Sequence, residues 1–154
     1  MKICIVRHGS AVSGAVQDQN RGLTDRGAGQ AAGAGRWLAQ QTFNNPRILA
    51  SPFLRAQQTA QAIAGSLGLA VKTMPHLVPD GDVQQLLNDL SAQEQDLILV
   101  SHLPLVGHLA AMLVDGQLYD QPWSPAECWI LQGDLAAAAC MSVDAVWYPV
   151  LDGL

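Results

Sequence analysis

Apolar residues fall along this chain in two alternating rhythms. Ile3-Cys4-Ile5-Val6, Ile48-Leu49-Ala50 and Leu97-Ile98-Leu99-Val100 are short unbroken runs, the length and composition expected of buried strands. Between and after them, Ala31, Ala34, Gly35 and Leu38 recur at helical spacing. So do Ala60, Ile63, Ala64 and Leu67, then Val83, Leu86, Leu87 and Leu90, then Leu105, Leu109, Met112 and Leu113. The punctuation agrees. Thr24 is placed to cap the first helix, Pro46 breaks the chain before the second strand, and Pro52 sits near the start of the next helix. Gly68 and Gly116 stand where helices should stop. Ala70 to Met74 reads as a further strand, and Glu127–Leu131 with Ala139–Tyr148 as a closing hairpin. Residues 9 to 23 form a loop rich in Gly, Ser, Asn and Asp. Strand–helix alternation predicts an α/β architecture with a largely parallel sheet. With 154 residues, no linker, no repeat and no low-complexity segment beyond Ala136–Ala139, the chain reads as one domain over residues 1–154.

The strand ends change the picture. The first runs directly into Arg7-His8-Gly9, the second into Ser51-Pro52-Phe53-Leu54-Arg55-Ala56-Gln57-Gln58-Thr59-Ala60, and the third into Ser101-His102-Leu103-Pro104-Leu105-Val106-Gly107. In open α/β sheets the carboxyl ends of strands are where ligands bind. Three such ends would deliver two arginines and two histidines to one edge. An arginine beside His8 disfavours imidazolium, which leaves a neutral ring with a lone pair free to attack.

These blocks, with Arg21-Gly22-Leu23-Thr24, Gly27, Pro75 and Gly81-Asp82 in the same order, resemble the histidine phosphatase, or phosphoglycerate mutase-like, superfamily. Within it the similarity is to the small SixA-type phosphohistidine phosphatases. The resemblance spans roughly the first two-thirds of the chain; little after Asp115 is diagnostic. It implies a three-layer α/β/α sandwich around a mostly parallel central sheet and a phosphatase working through a phosphohistidine intermediate. It also implies that Arg21 joins the phosphate pocket. The substrate expected is a phosphorylated histidine-containing phosphotransfer domain or another phosphoprotein.

Composition narrows the partners. The net charge is −5 and charged residues are only 14% of the chain, so a nucleic acid is not expected. Placing Arg7, Arg21 and Arg55, of eight Lys and Arg in all, near one pocket would concentrate positive charge in an acidic protein. Cys4, Cys128 and Cys140 cannot all pair and show no Cys-x-x-Cys spacing. All three are expected as buried thiols in a reducing cytoplasm. No stretch suits a signal-peptide core or a membrane span. Nothing sets the oligomeric state, for which a monomer is the default.

The four central residues suffice for phosphoryl transfer. His8 is the expected nucleophile, and Arg7 and Arg55 present planar forks to phosphate oxygens. His102 would donate to the same phosphate and add charge when protonated. No metal or other cofactor is expected, because zinc wants three or four ligands and these histidines bring arginines instead. His76 and His108 are expected to be peripheral. Asp18 is a candidate rim residue or an exposed loop residue. Ser51 caps the second helix or touches phosphate, with capping favoured, and Ser101 is open in the same way. Mutase-like relatives use a carboxylic acid to protonate an alkoxide. Here only Asp80 and Asp82 follow Pro75-His76, and a leaving imidazole has less need of an acid. A small-molecule phosphomonoesterase, a phosphocarrier and a non-catalytic phosphate-binding module remain the alternative functions.

Overall fold

The computed structural model describes residues 1–14 and 17–150. Six strands form one sheet: β1 (Lys2–Arg7), β2 (Arg47–Ala50), β3 (Val71–Thr73), β4 (Leu97–Ser101), β5 (Cys128–Gly133) and β6 (Met141–Trp147). Their order across the sheet is β3-β2-β4-β1-β5-β6. The first four run parallel, while β5 is antiparallel to β1 and to β6. The helices are α1 (Asp25–Ala39), α2 (Leu54–Leu67), α3 (Val83–Ser91) and α4 (Leu105–Asp115).

Side-chain alternation along the strands explains the layers. Cys4 and Val6 of β1, Ile98 and Val100 of β4, and Ile48 and Ala50 of β2 pack with Ala34 and Leu38 of α1 and Ala60 and Ile63 of α2. Ile3, Ile5, Leu97, Leu99 and Leu49 point the other way, against Leu86 and Leu90 of α3 and Leu109 and Leu113 of α4. Strands covered on both faces must be apolar throughout, which is why they read as unbroken runs. The outcome is the α/β/α sandwich expected from the sequence.

Local signals behave as expected at most boundaries. Thr24 Oγ1 accepts from the Gly27 amide at 3.0 Å and caps α1. Gly68 and Gly116 end α2 and α4 with φ of 69° and 75°, a left-handed conformation that glycine adopts without steric cost. Gly9 and Gly27 serve a different need. A Cβ on Gly9 would lie 2.6 Å from the Gly27 carbonyl oxygen, and one on Gly27 only 2.0 Å from that of Ser10. The pair lets the first turn of α1 press against the chain leaving β1. Cys4 and Cys128 are buried, but Cys140 is exposed. That departs from the expectation of three buried thiols, because Cys140 falls on the turn just before β6. No helix among the described residues is long and apolar enough to cross a membrane.

The topology also fixes where a crevice must open. β1 and β4 are neighbours, yet the helices that follow them lie on opposite faces of the sheet. Such a switch point leaves a gap at the carboxyl ends of the two strands.

Candidate active site

Four sequence-predicted residues meet in that gap. Arg7 ends β1 in register with Ser101 of β4, so His8 and His102 emerge side by side with ring centroids 5.0 Å apart. Arg55 enters from the first turn of α2 and is 3% exposed. Together with Asp18, Arg21, Pro79 and Pro125 they line an open pocket of about 430 Å³. A larger concavity of about 710 Å³ runs along α1 beside Trp147, but no histidine or cysteine lines it.

Hydrogen bonds fix the tautomer of His8. Its Nδ1 lies 2.6 Å from the Gly9 carbonyl oxygen. A carbonyl can only accept, so Nδ1 carries the proton and Nε2 presents its lone pair. The Arg55 Nε–H points at that lone pair from 3.3 Å. Bonds from two backbone amides hold the segment in place. The His8 amide donates to the Ser101 carbonyl at 3.0 Å, and the Gly9 amide to Thr59 Oγ1 at 3.1 Å. Burial, more than any neighbour, pushes the His8 pKa down to about 4; the Gly9 bond opposes this, and Arg55, Arg7 and Arg21 add to it. The neutrality expected from Arg7 is therefore present, with desolvation as its main cause.

Burial likewise takes His102 down to about 3, helped by His8 and Arg55. The ring is thus neutral near pH 7, and the charge it would add when protonated is absent there. Unfolded histidines titrate near 6.5, so between that pH and their folded values the unfolded chain binds more protons. Stability should therefore fall as the pH drops through about 6.5 toward 4. The loss by pH 5 is expected to be on the order of 1–2 kcal/mol per histidine. Thermal unfolding at pH 7 and pH 5 checks this, and an unchanged midpoint would contradict it.

Each arginine is anchored by oxygens. Arg7 donates from one terminal nitrogen to the Trp123 carbonyl at 2.8 Å. Arg55 donates to the Asp18 carbonyl at 2.7 Å and to its carboxylate at 3.2 Å. Arg21 holds the other carboxylate oxygen at 3.0 Å and the Val12 carbonyl at 2.9 Å. Arg21 lines the same pocket, and Asp18 is a pocket residue that bridges two arginines. Desolvation works upward on the Asp18 carboxyl, but the Arg55 and Arg21 bonds and charges outweigh it and hold the pKa below the ordinary value. Asp18 is ionised near neutrality and has no proton to give.

Other expectations resolve against the pocket. Asp82 caps α3, accepting from the Gln85 amide at 3.0 Å, and Asp80 is exposed; neither lines the pocket. His76 pairs with Asp89, and His108 with Asp120 at 2.6 Å, both away from it. The Ser101 hydroxyl donates to the Leu77 carbonyl at 2.6 Å. Ser51 does not cap α2, whose N-cap is Phe53 without a side-chain bond; its Oγ lies 2.7 Å from His102 Nε2. Among the described residues, no three His, Cys, Asp or Glu side chains gather as a metal-binding group. Two buried side-chain polar atoms among them lack a hydrogen-bond partner, Arg7 Nε and His102 Nδ1. Both belong to residues that line the pocket.

Comparison with known proteins identifies the family. Residues 3–79 match the histidine phosphatase superfamily (branch 1). The chain is 37% identical over 123 residues to phosphohistidine phosphatase SixA of Escherichia coli strain K12, covering 76% of each chain. A SixA homolog of Haemophilus influenzae is 34% identical over 126 residues, covering 73% of this chain and 77% of the relative. The solved structure of the protein histidine phosphatase SixA complexed with tungstate superposes with a TM-score of 0.84 at 29% identity, covering 96% of this chain and 97% of that one. Paired histidines and arginines at the β1–β4 crevice, the fold around them and these identities lead to one conclusion: the chain belongs to the histidine phosphatase superfamily.

Proposed function

We propose that the protein is a metal-independent phosphohistidine phosphatase acting on a phosphorylated protein histidine. The observation that carries this reading is the pair of buried side-chain nitrogens without partners, Arg7 Nε and His102 Nδ1, beside a histidine whose Nδ1 is held by Gly9 and whose Nε2 lone pair meets the Arg55 Nε–H. Buried polar groups are almost always hydrogen-bonded. A phosphoryl group on His8 supplies the oxygens these donors need.

The chemistry proceeds in two displacements. The Nε2 lone pair of His8 attacks phosphorus while the P–N bond to the substrate imidazole breaks. That bond's electron pair returns to the departing nitrogen, which takes a proton from solvent. Arg7, Arg55 and His102 surround the equatorial oxygens, where charge accumulates. Water then attacks the phosphorylated His8, the second P–N bond breaks, and His8 recovers its lone pair. Inorganic phosphate leaves with the water's hydroxyl, and the remaining proton passes to bulk. The cationic side chains supply the charge stabilisation that a metal provides elsewhere.

The absence of a proton-bearing carboxyl in the described pocket favours a P–N substrate over a P–O one. Of the nearby acids only Asp18 lines the pocket, and two arginines keep it ionised. Acid assistance is typically worth about 10²–10⁴ in rate, and an alkoxide leaving group needs it far more than an imidazole does. The test offers a phosphohistidine-bearing phosphotransfer domain and a panel of alkyl phosphate metabolites under identical conditions, with chelator present throughout. The expected result is a kcat/KM for phosphohistidine at least about 10²-fold higher, undiminished by chelation. An alkyl phosphate turned over equally well would make the protein a small-molecule phosphomonoesterase. Loss of activity on chelation, restored by one divalent ion, would overturn the metal-free mechanism.

A further inference from the structure

We infer that Ser51 is a positioning residue that sets which nitrogen of His102 carries the proton. This rests on the reading of His102 as a donor to phosphate. Ser51 lies in the turn between β2 and α2 and is fully buried. Its backbone is fixed on both sides. The amide donates to the Val100 carbonyl at 3.0 Å, and the carbonyl accepts from the Gln57 side chain at 2.7 Å. The hydroxyl is fixed too. Ser51 Oγ accepts from the Phe53 amide at 3.2 Å and faces His102 Nε2 at 2.7 Å.

The hydroxyl proton needs an acceptor, and His102 Nε2 is the one at hand. Ser51 O–H therefore donates to Nε2. A neutral imidazole that accepts at one nitrogen must be protonated at the other, so the proton of His102 sits on Nδ1. That atom is buried without a partner, on a ring 5.0 Å from that of His8. The opposite tautomer would leave two faults: a buried hydroxyl proton with no acceptor and a buried Nδ1 lone pair with no donor. The Phe53 ring, edge-on to His102 with centroids 5.2 Å apart, restrains the same ring from another side. Ser51 thus makes His102 a donor without needing it to be charged, which suits a histidine whose burial keeps it neutral.

The side-chain nitrogens of His102 can be read directly by ¹⁵N NMR of the resting protein near pH 7. The expected spectrum shows a protonated Nδ1 and an unprotonated, hydrogen-bonded Nε2. In Ser51→Ala the ring should shift toward the Nε2–H form that free histidine favours in water. Its kcat should fall by about 10- to 100-fold, with a smaller change in KM, as when an orienting partner of a functional histidine is removed. Ser51→Cys keeps the size but donates weakly, and should fall between the two. A protonated Nε2 in the unaltered protein overturns the inference, and that measurement needs no variant to fold. An unchanged tautomer and kcat in a folded Ser51→Ala overturns it equally. Because the spectrum is taken without substrate, a wrong substrate assignment would show in the turnover panel and leave this result untouched.

Discussion

Replacing His8 with alanine is expected to lower turnover by on the order of 10⁴-fold or more, since the group lost is the one that forms the covalent bond. The remaining donors can still bind phosphate, but the second histidine of the pocket, His102, has its Nε2 engaged by Ser51. His8 Nε2 faces Arg55, and its Nδ1 is spent on Gly9. The fold should survive. The strand beneath it, Ile3 to Val6, is buried independently of the ring, and removing a desolvated imidazole relieves a cost at low pH. Quenched reactions should trap an acid-labile phosphoprotein with the unaltered chain and none with His8→Ala. Thermal unfolding at pH 7 should stay within a few degrees. Normal turnover by a folded His8→Ala protein would sink the mechanism.

Arg55→Lys should be nearly as damaging as Arg55→Ala, with kcat/KM reduced by about 10²- to 10³-fold in both. The guanidinium reaches three places at once: Nε toward His8, and its two terminal nitrogens toward the carbonyl and carboxylate of Asp18. An ammonium is a single point of charge on a flexible stem and cannot span them. Burial sharpens the contrast, because a side chain only 3% exposed has little water to stand in for lost bonds. Steady-state kinetics on the two variants decides the matter. Recovery of most activity by lysine would mean that charge alone, and not the planar fork, does the work.

The central residues were legible in the sequence because parallel strands buried on both faces announce themselves as unbroken apolar runs. Whatever follows such a run lands on the binding edge. Arg7, His8 and His102 needed no more than that, and Arg55 only one helical turn. Ser51 was misread because a hydroxyl shortly before a helix has the composition of a cap; besides the Phe53 amide it meets His102, 51 positions away. Asp18 was seen only as a rim candidate, since a loop carboxylate carries no periodicity to say which way it turns. The Trp123 carbonyl that anchors Arg7 left no trace at all, because every residue has a carbonyl. The neutrality of His8 was anticipated for a secondary cause: adjacency to Arg7 can be read from the order of residues, whereas desolvation belongs to the assembled site.

The placement of the two histidines on neighbouring strands also governs how the enzyme comes into being. β1 and β4 pair directly, yet they come from opposite halves of the chain, and β2 must take its place on the far side of β4 before Arg55 arrives. Contacts this distant in sequence form late and together. A nascent chain that has emerged only as far as α3 carries Arg7, His8 and Arg55 but has no sheet in which they meet. Catalytic competence is therefore expected to be acquired in the closing step of folding. It should be lost in that same step on denaturation, so that residual activity and far-ultraviolet ellipticity trace one curve against urea.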